Sequence, residues 1–273
     1  MIRNMTIGTY YPVDSPIHRL DPRIKLIAVL VFLVSLFLFS SFTGYAVVTV
    51  VLLTVVFLSR VPLSYIFKGM RAIVFLLVFT SFFNLFFTEG DILWEWEFIH
   101  ITYQGVRQTI FMAMRLIYLV VGSSMLTYTT TPGQLTDAIE FLLGWLKVFR
   151  VPVHDFAMMM SLALRFIPLL LAEANRILDA QSARGADIEN GGIVKKMRSF
   201  VSILVPLLVS ATRRAYELGL AMEARCYNSG KKATKLKPLR FRFSDFLMLP
   251  LMVGYIAAIV YVDELYAYLI AMI

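Results

Sequence analysis

Apolar residues along this chain come in long unbroken runs, not in the short alternations of a half-buried strand. Crossing about 30 Å of hydrocarbon takes about 20 helical residues at ~1.5 Å each. Ile24–Phe42 meets that requirement, with Arg23 and Lys25 anchoring its start. Tyr45–Ser59 is a second, shorter run, and Ser41–Gly44 predicts a tight turn that folds the two into a helical hairpin. Ile66–Phe87 is a third span, with Lys68 and Arg71 in its first turn, where long cationic side chains can snorkel. Gly105–Tyr128 makes a fourth and Phe246–Val262 a fifth.

Between the last two runs the pattern changes. Thr129–Ser244 is helical in periodicity and rich in Lys and Arg, and reads as too interrupted by charge to span. Pro132, after the hydroxyls of Thr129–Thr131, suits a helix start. Leu135, Ile139, Leu142, Leu143 and Leu146 then mark one face of an amphipathic helix that Pro152 ends. A second helix is expected from Asp155 to Ala186 and a third from Ile193 to Tyr227, separated by Gly191-Gly192. Asn228-Ser229-Gly230 supplies residues suited to a left-handed stop, and Lys231–Arg242 is a basic linker back to the membrane surface. The fold class predicted is all-α. It is a polytopic membrane protein with four spans in 1–128, long cytoplasmic helices in 129–244, and a final span and tail in 245–273.

Composition supports the membrane reading. The chain is 59% hydrophobic and 16% charged, where soluble domains sit nearer half apolar and a quarter charged. Its net charge of +8 falls on segments between apolar runs, which is the distribution of cytoplasmic loops and not that of a nucleic-acid face. Arg3, Arg19, Arg23 and Lys25 precede the first span; Arg60, Lys68 and Arg71 lie between the second and third. The loop after the third carries Glu89, Asp91, Glu95 and Glu97 without a Lys or Arg, plus Trp94 and Trp96 as interfacial anchors. The N-terminus is therefore expected in the cytoplasm and the C-terminal tail outside. Met1–Leu20, polar and broken by Pro12 and Pro16, does not read as a cleavable leader, so the first apolar helix is expected to direct insertion. The lone Cys226 excludes an internal disulfide.

The second and third long helices look like weak copies of each other. Ile167-Pro168-Leu169-Leu170-Leu171 opens one and Val205-Pro206-Leu207-Leu208-Val209 the other. They close on Ala183-Arg184-Gly185 and Ala224-Arg225-Cys226. Pro168 and Pro206 should each kink their helix by removing one backbone hydrogen bond.

Catalytic chemistry finds no support in the residues. No G-x-x-x-x-G-K-[ST] phosphate loop is present; Gly191-Gly192-Ile193-Val194-Lys195-Lys196 lacks its spacing. His18, His100 and His154 fall in three separate regions, and the acids do not cluster. The chain reads as a non-enzyme with no cofactor or metal of its own. Arg184 and Arg225 stand out instead, because flanking small residues leave each planar five-donor fork accessible to a carboxylate on another protein. One such Arg would read as complementing a helix C-terminus; two at the ends of repeated helices point to docking. Arg115, near the middle of the fourth span, reads as structural, paired with Glu89 or Asn84 or facing a water-filled flank, with a place on a transport pathway as the alternative. Met158–Met160 is a stretch that could pack or form an adaptable surface.

Several segments resemble the transmembrane T component (EcfT) of energy-coupling factor transporters. They are Leu20-Asp21-Pro22-Arg23 with Lys25, Thr127–Pro132, Ser161–Pro168, Ala180-Gln181-Ser182-Ala183-Arg184-Gly185, and Ala221-Met222-Glu223-Ala224-Arg225-Cys226-Tyr227, in that order. The resemblance implies a scaffold in an importer of vitamins or other micronutrients. Two ABC-type ATPase subunits, a hetero- or homodimer, would bind and hydrolyse the ATP, and a membrane-embedded S component would carry the substrate. It also implies that the Ala183–Gly185 and Ala224–Cys226 ends each dock in a groove on one ATPase, and that the assembly sits in a prokaryotic plasma membrane. Cys226 departs from the pattern, which has Gly there and so a cheaper left-handed turn. The competing function class is a self-contained secondary transporter or channel. That class needs paired polar residues inside the spans, which are scarce apart from Arg115 and Asn84.

Overall fold

A computed structural model describes residues 10–39, 41–88, 90–96, 99–185, 192–227, 241 and 243–272. The chain forms α1 (Pro22–Ser35), α2 (Phe42–Ser59), α3 (Leu63–Phe87), a hairpin of β1 (Ile92–Trp96) and β2 (Ile99–Thr102), α4 (Tyr103–Thr129) and α5 (Pro132–Leu142). A three-ten helix (Leu143–Phe149), α6 (Val153–Ala183), α7 (Ile193–Ala224) and α8 (Phe243–Met272) follow. This is an all-α polytopic membrane protein with one small antiparallel hairpin in its acidic loop. Two compact units result: α1 to α4, the hairpin and α8 make one, and the chain from the end of α5 through α7 makes the other.

Within the first unit, α1, α2, α4 and α8 share a core in which Leu36, Phe39, Tyr45 and Val48 are almost fully buried. Tyr45 stacks on Phe111 at 5.2 Å and meets Phe39 edge-on at 4.9 Å. Among the described residues, four helices are long and apolar enough to cross a membrane: α2, α4, α6 and Asp245–Glu264 of α8. The two halves of α3, bent by 57°, make a fifth if they count as one span.

Three expectations are corrected here. The first apolar run stops being an α-helix at Ser35, after 14 residues. Phe37 N donates to Val34 O and Leu38 N to Ser35 O, both at 3.0 Å, so the end of the run tightens into i→i−3 bonds. The turn to α2 therefore comes before Ser41, not across Ser41–Gly44. Ser41 Oγ accepts from Gly44 N and caps α2, and Gly44 lies inside the helix, where a Cβ would run into the Phe39 ring. The second correction concerns α6, which is 31 residues long and passes the length and apolarity test despite Arg165 and Glu173. Charge is sparse in its first two-thirds, and none of its apolar stretch is buried by the rest of the chain. Third, the acidic loop is partly a ladder in which Trp94 pairs with Ile101 and Glu95 with His100; alternating aromatic and β-branched residues favour that pairing. Glu89 and Glu97 lie outside the described residues, as do Arg3, Gly191, Asn228-Ser229-Gly230 and nearly all of the Lys231–Arg242 linker.

Candidate functional site: two arginine-tipped helix ends

Two polar constellations can be built from this backbone, one buried and one bare. The buried one belongs to the first unit. Asp21 caps α1 through Oδ1, which accepts from Arg23 N at 2.9 Å, with Pro22 at the first helical position, where its missing N–H is harmless. Asp21 N in turn donates to Asp245 Oδ1 at 2.9 Å, tying the start of α1 to the start of α8. Lys25 Nζ donates to the carbonyls of His18 at 3.1 Å and Thr129 at 3.0 Å, and the carboxylates of Asp21 and Asp245 lie within its electrostatic reach. All three side chains are at least 95% buried, so Lys25 is an internal tie and does not snorkel.

The preceding segment is strapped down as well. Tyr11 N donates to Tyr128 O at 3.0 Å, and His18 sits between the Tyr11 carbonyl (Nε2, 3.0 Å) and Ser15 Oγ (Nδ1, 2.7 Å). A neutral ring with its proton on Nε2 satisfies both contacts. Burial pulls the His18 pKa below its ordinary value, against the opposing pull of the Tyr11 carbonyl.

Arg115 also has contacts within this unit; of its expected partners Glu89 lies outside the described residues and Asn84 bonds elsewhere. Its guanidinium reaches the loosened end of α1, donating to Phe39 O at 3.4 Å and lying over the Phe37 ring at 5.4 Å. Asn84 donates to Thr80 O instead. A frayed helix end has carbonyls to offer, which is why the cation goes there.

The bare constellation lies in the second unit. Helix α6 ends at Ala183 and α7 at Ala224, with Arg184 and Arg225 as the capping residues. Their backbones match closely: φ −84°, ψ 6° at Arg184 and φ −92°, ψ 13° at Arg225. The next residue is left-handed in both, Gly185 at φ +84° and Cys226 at φ +56°. Gly185 N donates to Ser182 O at 3.0 Å, and Cys226 N to the equivalent Glu223 O at 2.8 Å. Tyr227 N adds the outer bond to Met222 O at 3.0 Å, completing a Schellman turn. The left-handed stop of α7 is thus Cys226, earlier than the expected Asn228–Gly230. A Cβ at position 226 does not prevent the turn; it costs about 1 kcal/mol relative to Gly.

Ala183, Arg184, Gly185, Ala224, Arg225 and Cys226 are all exposed. Among the described residues, neither guanidinium has an ion pair or a hydrogen bond to another side chain. A sharp turn just beyond each Arg, with alanine before it, projects a five-donor fork from the end of a long rod.

The rods are clasped to each other. Arg214 on α7 donates to Glu173 on α6 at 3.2 Å, and each of the pair stands eleven residues before its own tip arginine, about 16 Å along the helix. The clasp thus joins equivalent points of the two copies. Reasoning from sequence missed it, because the partners are 41 residues apart. The helices run through Pro168 and Pro206, each of which lacks the amide that would bond the carbonyl four residues back. Pro250 does the same in α8.

The family model described as cobalt transport protein, CbiQ, matches residues 14–236. This chain belongs to that family, and within it to the EcfT proteins. The energy-coupling factor transporter transmembrane protein EcfT of Ruminiclostridium cellulolyticum is 44% identical over 266 residues, covering 97% of this chain and all of the relative. The EcfT protein of Clostridium kluyveri is 46% identical over 249 residues, 90% of this chain and 92% of that one. The EcfT protein of Bacillus subtilis is 41% identical over 246 residues, with 90% and 93% coverage. Both tips and the Asp21–Lys25 segment fall inside the matched stretch.

Proposed function

We propose that this EcfT-family chain is the non-catalytic coupling scaffold of an importer. Arg184 and Arg225 each dock on one of two ABC-type ATPase subunits, and the membrane-spanning unit holds an S component that carries a vitamin or other micronutrient. The observation that carries this reading is the matched pair of left-handed helix ends, each holding out an exposed arginine with no side-chain partner among the described residues. ATP-driven closure of the ATPase pair would pull on both tips. The Glu173–Arg214 clasp would pass that pull from one rod to the other, and the S component would reorient. The S component has ample apolar surface to meet: Phe75, Phe79, Phe83 and Phe87 recur every four residues on α3, and Met159 and Met160 on α6, all exposed.

The test is co-purification. Arg184→Glu with Arg225→Glu should release the ATPase subunits while leaving membrane insertion intact, because among the described residues no side-chain hydrogen bond or ion pair rests on either guanidinium. Desolvated arginine anchors contribute about 2 kcal/mol or more apiece, so the double variant should lose binding by about a thousandfold. Full ATPase retention by that variant overturns the reading.

The orientation that goes with it, N-terminus in the cytoplasm and C-terminus outside a prokaryotic plasma membrane, has a separate test. Cys226 is the only thiol and is exposed. In cells expressing this chain alone, an impermeant maleimide should label inside-out vesicles and spare intact cells. Labelling from outside would reverse the topology.

A further inference from the structure

Between α5 and α6 the chain makes a short structure that neither the docking role nor the buried ties use. Leu143–Phe149 wind as a three-ten helix, and Arg150 closes it at φ +60°, with Arg150 N donating to Lys147 O at 3.0 Å. At three residues per turn, side chains three apart lie above one another. The segment therefore has three edges. Leu143, Leu146 and Phe149 form one, Trp145 and Val148 a second, and Lys147 with Arg150 lies on the third. Two edges are apolar and one is basic.

The apolar edges face outward. Trp145 is 63% exposed, Val148 83% and Phe149 68%. The Trp145 and Phe149 rings meet edge-on at 6.0 Å, so they form one aromatic block. Lys147 and Arg150 are exposed beside them. The flanking acid Glu140 is engaged by His154 Nδ1 at 2.9 Å, and no Asp or Glu lies between it and Asp155.

We propose that this turn is a lipid-interface anchor. Trp145, Val148 and Phe149 enter the headgroup–acyl boundary of the leaflet from which α4 emerges, and Lys147 and Arg150 pair with anionic lipid phosphates. Aromatic rings beside unopposed cations are the pairing that a negatively charged bilayer surface selects. Reach is no obstacle, because the path from Thr129 to Trp145 is mostly helical and no longer than about 35 Å. The anchor stands independently of the ATPase-docking reading, since no tip residue takes part in it.

Fluorescence tests it directly. The chain has three tryptophans, so Trp94→Phe with Trp96→Phe leaves Trp145 as the sole indole. The full-length variant is placed in nanodiscs of phosphatidylcholine, with and without phosphatidylglycerol, whose acyl chains are brominated near the headgroup. Trp145 emission should be quenched at least twofold by the bromolipid and shielded from aqueous acrylamide. Lys147→Glu with Arg150→Glu should weaken the quenching in the anionic discs more than in the neutral ones. If the hairpin substitutions prevent folding, bimane on Val148→Cys in a Cys226→Ser background gives the same reading. The proposal is overturned if acrylamide quenches the probe as it does free indole while bromolipid has no effect. It is equally overturned if shielding appears only when a partner protein is added.

Discussion

Two sets of cations in this chain meet opposite fates. Lys25 is buried at the foot of α1, bonded to two carbonyls and facing two carboxylates. Arg184 and Arg225 stand exposed at helix ends, with no partner among the described residues. A buried charge without compensation is among the costliest features a fold can carry, so wherever one persists the fold has built around it. An exposed arginine costs almost nothing to leave unpaired. The difference is diagnostic: the first cation belongs to stability, and the second is free to be used by something else.

Substitution should separate the two regions. Asp245→Ala removes the acceptor of Asp21 N and one of the two acids near Lys25, leaving a buried amide unsatisfied and a buried cation less compensated. The expected loss is about 3 kcal/mol, read as a fall in the thermal unfolding midpoint in detergent. Asp245→Asn, which keeps an oxygen for Asp21 N, should lose less. Reversal of both tip arginines should leave that midpoint where it is and change only what the chain binds. A destabilised double-arginine variant, or an indifferent Asp245→Ala, would erase the distinction.

The parts of this division that could be read in advance are those written locally. Four of the candidate spans, in α2, α3, α4 and α8, announce themselves by length and apolarity, and the tips by their repeated Ala-Arg-small ending; α6 does not, because Arg165 and Glu173 interrupt its run. The early end of α1 could not be read, because it depends on i→i−3 tightening after Ser35 and on Arg115 arriving from α4 to take the Phe39 carbonyl. Asp245 stands alone beside an apolar run and looks like a boundary mark; its partner lies 224 residues away. Its best signal was the acid ahead of the first span, Asp21, with Lys25 one helical turn further on. The three-ten turn hid for a different reason: counted at helical period, Leu142, Leu143 and Leu146 extend the face of α5, and only a tighter winding brings Trp145 over Val148.

The smallest effect tests the likeness between the tips themselves. Both turns need a left-handed residue, and one copy uses Gly where the other uses Cys. Space is not the constraint at Gly185, where a Cβ would meet nothing within 4 Å; only its φ of +84° is. Gly185→Ala should therefore cost about 1 kcal/mol, confined to the end of α6. Cys226→Gly should do the reverse, relieving the strain at φ +56° and stabilising the end of α7 by about 0.5 kcal/mol, the gain being trimmed by the greater freedom of glycine in the unfolded chain. Hydrogen exchange at the last amides of α6 and α7 reads both changes where they occur. Equal ATPase retention by Cys226→Gly means that the turn alone matters at this tip. Weaker retention from a better-formed turn would mean that the thiol itself touches the ATPase, and the two ends would then be alike in backbone but not in what they recognise.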